Sequence, residues 1–250
     1  MLTKEQLQYY GQKHQVDTFT VFREYLQLVF LNSLYQEKKA EKVFFKGGTC
    51  LRLIYESPRF SEDLDFSTRL SKKTIDALLQ KVVGLLQKDV PEVTLRFLWH
   101  GEKTVRYRLV YEGDAFKYPL PIRLDFSFES PFLQTEVSSL KSELPITLYS
   151  FVAHLSSEEI FTEKIRAFFT RLKGRDVFDL WYLVEKGVVF NEVYAIKKLK
   201  AVSRAYSKEV LLGKIKNYPL HTLDLDLSRF LPQHVRKIIP ALQNKLLDAL

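Results

Sequence analysis

The sequence predicts an α+β protein: a strand-bearing first part, residues 1–150, followed by a helical second part, residues 151–250. Two observations carry this. Between Val93 and Phe128 apolar and polar residues alternate, the period of a half-buried strand; from about Ser156 the apolar residues recur at helical spacing almost to the end. The chain shows no repeats, no low-complexity tract and no long linker, and 250 residues suffice for one large domain or two modest ones.

The elements follow in order. Residues 4–14 and roughly 18–38 read as helices. In the second, Phe19, Phe22, Leu26, Val29, Phe30 and Leu34 recur at helical spacing, with Asp17 or Thr18 as the cap. Val43 to Phe45 is a short buried strand, broken by Lys46-Gly47-Gly48-Thr49, and a helix runs from Cys50 to Tyr55. Leu64 to Ser67 is a second strand, and Ser71 caps an amphipathic helix reaching Lys88. Val93 to Trp99 and Lys103 to Tyr111 form a hairpin around His100-Gly101, and Leu120 to Phe128 adds a strand. Further on, Ile160 to Leu172 is helical, Lys173-Gly174 reads as a helix stop, and Val177, Leu180, Trp181 and Val184 mark the buried side of the next helix.

Composition excludes several classes. The single cysteine, Cys50, rules out an internal disulfide and a cysteine-built zinc site. The N-terminus has no apolar signal core, and no segment approaches the roughly 20 apolar residues of a membrane span. A soluble, cytoplasmic protein with no membrane partner is expected. The net charge of +8 is uneven: residues 1–150 hold 21 Lys and Arg against 19 acids, residues 151–250 hold 17 against 11. Seven basic residues and one acid, Glu209, fall between Lys197 and Lys216, which suits phosphate attraction and a solvated helix face about equally.

The chemistry concentrates after the first strand. Gly47 and Gly48 let the backbone turn tightly against a ligand, and the N–H groups of the helix that begins there favour a phosphate. The Thr49 hydroxyl serves the same oxyanion, and Arg52, a turn later, reaches the same area. Asp63 and Asp65, two apart on a strand, share a face. Side by side they repel, and a hard divalent cation relieves that repulsion. Asp125 projects from the polar face of the strand Leu120 to Phe128, so three carboxylates from two strands suit two metal ions.

In the second part, Lys164 and Arg171 share a helix face, and Asp176 and Asp179 sit together close to Arg175. From spacing alone these charges read first as ordinary helix ion pairs, and only second as a set that neutralises and positions phosphates. The five histidines lie far apart without metal-ligand spacing, and Trp99 and Trp181 read as core residues.

Gly47-Gly48-Thr49, then Asp63-x-Asp65, then Asp125 resemble the DNA polymerase β-type nucleotidyltransferase superfamily. The fuller strings KGGTCLR and RFSEDLDF, with Lys164 and Arg175-Asp176-x-x-Asp179, resemble one branch of it, the AbiEii/AbiGii toxin family. The resemblance covers roughly residues 40–185 and implies a nucleotidyltransferase fold, a mixed β-sheet flanked by helices, with a C-terminal helical domain contributing to the active-site cleft. It implies an NTP substrate bound by Gly47, Gly48, Thr49, Arg52, Lys164 and Asp179. It also implies Mg2+, or Mn2+ in its place, on Asp63, Asp65 and Asp125, with Lys164 and Asp176 completing the catalytic set. The expected acceptor is RNA, the 3′ end of tRNA in some relatives, and the expected role is the toxin of a bacterial toxin–antitoxin pair. A protein acceptor, the antitoxin included, is the second enzymatic reading, and a non-catalytic binding module is the reading from another class. Gly-Thr stands where many of the wider superfamily carry Gly-Ser, which keeps the hydroxyl and adds a methyl.

Overall fold

A computed structural model of the chain describes residues 1–128, 134–200 and 203–250. It divides into two compact units: residues 1–56 with 60–155, and residues 57–59 with 156–250. The helical pattern expected across 201–202 lies outside the described residues.

The first unit opens with helices α1 (Lys4–His14) and α2 (Thr18–Leu34), the latter capped by Asp17. Helix α2 is buried almost all round, so its polar residues are partnered internally. Glu24 receives Arg52, and Gln27 donates to the Ser61 carbonyl. It ends four residues before the position expected, and the Tyr35 hydroxyl beyond it donates to the Val43 and Ala153 carbonyls.

Strand β1 (Val43–Lys46) runs directly into helix α3 (Gly47–Leu53), which begins three residues earlier than its apolar pattern suggests. Strand β2 (Leu64–Thr68) and helix α4 (Lys72–Asp89, capped by Ser71) follow. Then come β3 (Val93–His100), β4 (Thr104–Tyr111) and β5 (Leu120–Ser127). Two further strands were not read from the sequence because neither alternates: β6 (Thr135–Ser139) is mostly polar and β7 (Phe151–Leu155) is a short, nearly continuous apolar run. The sheet is mixed and seven-stranded, in the order β3-β4-β5-β2-β1-β7-β6, with β2–β5 and β1–β7 parallel.

Three phenylalanines hold its centre. Phe66 stacks on Phe126 with ring centroids 4.8 Å apart, and Phe45 lies 5.6 Å from Phe66. Phe45, Phe66 and Phe126 are fully buried, and each adjoins a polar residue: Lys46, Asp65 and Asp125. Because neighbours on a strand point to opposite faces, burying the aromatic row forces the polar row onto the other face.

The second unit is helical: α5 (Ser157–Arg171), α6 (Gly174–Glu185), α7 (Glu192–Lys200), α8 (Lys208–Lys216), α9 (Leu220–Ser228) and α10 (Leu242–Ala249). Gly174 is not the helix stop its sequence suggests. The left-handed residue closing α5 is Leu172, at φ 48°, and Gly174 opens α6, where a Cβ would lie 3.0 Å from both Asp226 and Leu223.

Candidate active site

The polar row is set by register. Asp65 pairs with Asp125 across the parallel β2–β5 ladder, Lys46 pairs with Asp65 on one side, and Arg106 pairs with Asp125 on the other. Paired residues stand on the same face, so Lys46, Asp65, Asp125 and Arg106 form one line across the sheet. Asp63 lies one residue before β2 rather than on it. Its carboxylate is 2.5 Å from Arg123 Nη2, and Arg123 Nε is 3.2 Å from Asp125. Arg106 Nε donates to the other Asp125 oxygen at 2.7 Å.

The carboxylates are under electrostatic strain. Burial, reinforced by Asp65, raises Asp63 from 3.8 to about 6 against the opposing pull of Arg123. Asp125 is raised by the same causes, burial first and Asp65 next, with Arg123 and Arg106 opposing.

The turn before α3 is built against this row. Gly47 sits at φ +84°, and a Cβ there would come 2.4 Å from an Asp65 carboxylate oxygen. Glycine is required twice over, by backbone and by space. The Thr49 hydroxyl donates to the Asp63 carbonyl, which ties the first turn of α3 to the residue before β2. Gly48 is buried beside it. The Arg52 guanidinium makes a two-point contact with Glu24, at 2.7 and 3.3 Å, and lies 4.0 Å above the Phe60 ring.

In the second unit the sequence-predicted residues Lys164, Asp176 and Asp179 meet in a buried ionic cluster. Lys164 Nζ lies 2.6 Å from Asp179 and 3.6 Å from Asp176. Arg171 makes a fork onto Asp176 at 2.7 and 2.9 Å, and Arg59 makes another onto Asp179 at 2.7 and 2.8 Å. Both aspartates are 0% exposed, Arg59 2% and Lys164 5%. Burial alone would raise Asp179; the charges of Arg59 and Lys164 outweigh it and hold the carboxyl down to about 2. Arg175, expected near this pair, lies over the Phe230 ring 4.9 Å away.

Three residues of these clusters escaped the sequence reading. Arg123 was legible, two residues before Asp125 and therefore on its face. Arg106 and Arg59 were not, because only strand pairing and tertiary packing bring them in. Trp99 corrects an expectation: it is 50% exposed rather than core. It sits on edge strand β3 just after a break in register between Phe97 and Trp99, which turns it to the open face.

Among the described residues no three His, Cys, Asp or Glu side chains are drawn together as metal ligands. Arg123 and Arg106 supply the positive charge at Asp63 and Asp125. The donor set nevertheless fits a hard divalent cation: it is all carboxylate oxygen, and its mutual repulsion is what such an ion relieves. Arg123 holds one of the two Asp63 oxygens, Oδ2.

The profile of the family described as "Nucleotidyl transferase AbiEii toxin, Type IV TA system" matches residues 29–248. The chain belongs to this family. It is a nucleotidyltransferase of the toxin–antitoxin class, for which an antitoxin is the natural counterpart. Solved structures share the fold. MenT4, a nucleotidyltransferase toxin from Mycobacterium tuberculosis H37Rv, superimposes with a TM-score of 0.65 at 16% identity, over 100% of this chain and 91% of that one. JHP933 from Helicobacter pylori gives a TM-score of 0.59 at 20% identity, over 93% and 94%. No curated protein matches. No helix among the described residues is long and apolar enough to cross a membrane.

Proposed function

We propose that this AbiEii-family chain transfers an NMP from an NTP to an RNA acceptor, the 3′ end of a tRNA being the acceptor class, as a cytoplasmic toxin. The observation that carries the reading is the Asp65 carboxylate, paired in register with Asp125, packed against the bare Cα of Gly47. Residues 1–150 are the catalytic part. Asp63, Asp65 and Asp125 would hold Mg2+, or Mn2+ in its place, which supplies charge neutralisation of the triphosphate and polarisation of the acceptor oxygen.

The chain's own residues do the rest. Gly47 and Gly48 let the triphosphate approach the carboxylate row without a side chain intervening, while Thr49 holds the turn to Asp63. Asp125 takes the proton of the acceptor hydroxyl. The acceptor oxygen bonds to the α-phosphorus as the bond to the bridging oxygen breaks, and pyrophosphate leaves. Within residues 151–250, Lys164, oriented by Asp176 and Asp179, is the cation proposed for phosphate neutralisation. Arg52, held by Glu24, acts on the turn through α3.

Incubation of the protein with each α-labelled NTP, Mg2+ and total tRNA tests this. Label should move to RNA with the wild type and fall at least about a hundredfold with Asp65→Asn. Label on protein instead would install the protein-acceptor reading. No transfer with any NTP would leave a binding module.

A further inference from the structure

The sheet face that carries the carboxylates does not stop at Asp125. Register continues its row outward through Arg106 to Trp99 on edge strand β3. A second row, two residues along and roughly 6.6 Å away, runs Arg123, Arg108, Arg96. The opposite side chains of these strands, such as Tyr107, Leu109, Ile122 and Leu124, are buried, so both rows stand on the open face. Arg96, Arg106, Arg108, Arg123 and Trp99 are all exposed.

This patch combines what a polynucleotide needs. Arg108 makes no ion pair among the described residues, and the Arg96–Glu112 pair is exposed on both sides, so a phosphate can displace it at little cost. The Trp99 indole folds over Gly101, where a Cβ would lie 2.2 Å from the ring. The Arg106 guanidinium lies 5.7 Å from its centroid. Arg106 is thus shared between an aromatic platform and Asp125, with no residue between them in the row. Arginines that track phosphates beside an aromatic that stacks a base characterise single-strand binding, in which bases are free to leave their own stack.

We infer that the open face of β3, β4 and β5 is the docking track for the single-stranded end of a nucleic-acid acceptor. Its reactive hydroxyl lies at the Asp125 end, its phosphates on Arg108 and Arg96, and a base on Trp99. The inference rests on the nucleotide-transfer reading and names the acceptor subsite of that reaction.

Fluorescence anisotropy with a labelled 12-nucleotide oligoribonucleotide, without NTP or divalent metal, tests the track separately from catalysis. Matched single-stranded DNA and duplex RNA are run alongside. The double variant Arg96→Gln/Arg108→Gln should bind the single strand about tenfold more weakly at low salt. Its slope of log affinity against log salt should be smaller by about 1.4, or 0.7 for each phosphate contact. Trp99→Ala should lose about five- to hundredfold for single strands and nothing for the duplex. Lys208→Gln/Lys216→Gln, in the rival basic cluster, should bind as wild type. All these positions are exposed, and a thermal melt checks folding. Both track variants binding within twofold of wild type would overturn the inference, as would an equal loss from the Lys208/Lys216 pair. If RNA is labelled by the wild type yet the track variants keep its KM, the track fails and the transfer reading stands. If oligonucleotide binding depends on the track but no label moves, the reverse holds.

Discussion

Asp63 shows how a single carboxylate stores the tension of this site. Its pKa is raised from 3.8 to about 6, so the folded chain holds a proton that the unfolded chain has released. The penalty is absent below about pH 4, grows as pH rises, and is complete above about 6. In EDTA, Asp63→Asn should therefore stabilise the protein at pH 8 by at most about 3 kcal/mol, with the gain gone near pH 4. Urea denaturation at the two pH values measures it. A variant that is less stable than wild type at pH 8 would mean that the Arg123 contact outweighs burial and the Asp65 charge.

At the scale of elements, the junction of β1 and α3 is where the proposed function has a triphosphate reach the sheet. Gly47 combines a left-handed backbone with a neighbour that leaves no room for a methyl group. Gly47→Ala should cost about 1–3 kcal/mol of stability. It should also weaken NTP binding, measured by calorimetry, more than an Ala at Gly84, where a Cβ would meet nothing within 4 Å. Equal NTP affinities for the two variants would detach the turn from the nucleotide. The junction was half legible: two glycines after a buried strand announced a turn, but the start of α3 at Gly47 itself was not. Nothing in the apolar spacing of Cys50 to Tyr55 marks the first turn, because Gly47 and Gly48 carry no side chain to show a periodicity.

For the whole molecule, the chain builds a helical unit that borrows Ser57–Arg59 from the middle of the strand-bearing stretch. The borrowed residue matters because Arg59 is the bidentate partner of Asp179, 120 positions away. Asp179 has its pKa lowered to about 2, so the pairing contributes stability in full above about pH 4 and loses it as pH falls toward 2. Asp179→Asn leaves a buried guanidinium uncompensated and should cost about 3–5 kcal/mol at neutral pH. The double variant Arg59→Met/Asp179→Leu should recover much of that loss in urea denaturation while still failing in the transfer assay. Recovery of stability and of full transfer together would reduce the cluster to a scaffold.

The sequence by itself determined the α+β class, the positions of most helices and the central strands, and it singled out Asp65 and Asp125, which the sheet register sets side by side. These follow from local periodicity and from residue types whose burial or repulsion has few remedies. The motif strings likewise point to the AbiEii family. Only the tertiary structure decided what stands beside what. Asp125 and Asp65 pair because β5 lies parallel to β2 across 60 residues of chain, and Arg106 joins them through a hairpin register. Trp99 faces outward because a break in the β3–β4 register turns it over. The physical reason is common to all three: periodicity tells which face a residue occupies on its own element, while strand order and register, set by the packing of Phe45, Phe66 and Phe126, decide which faces meet.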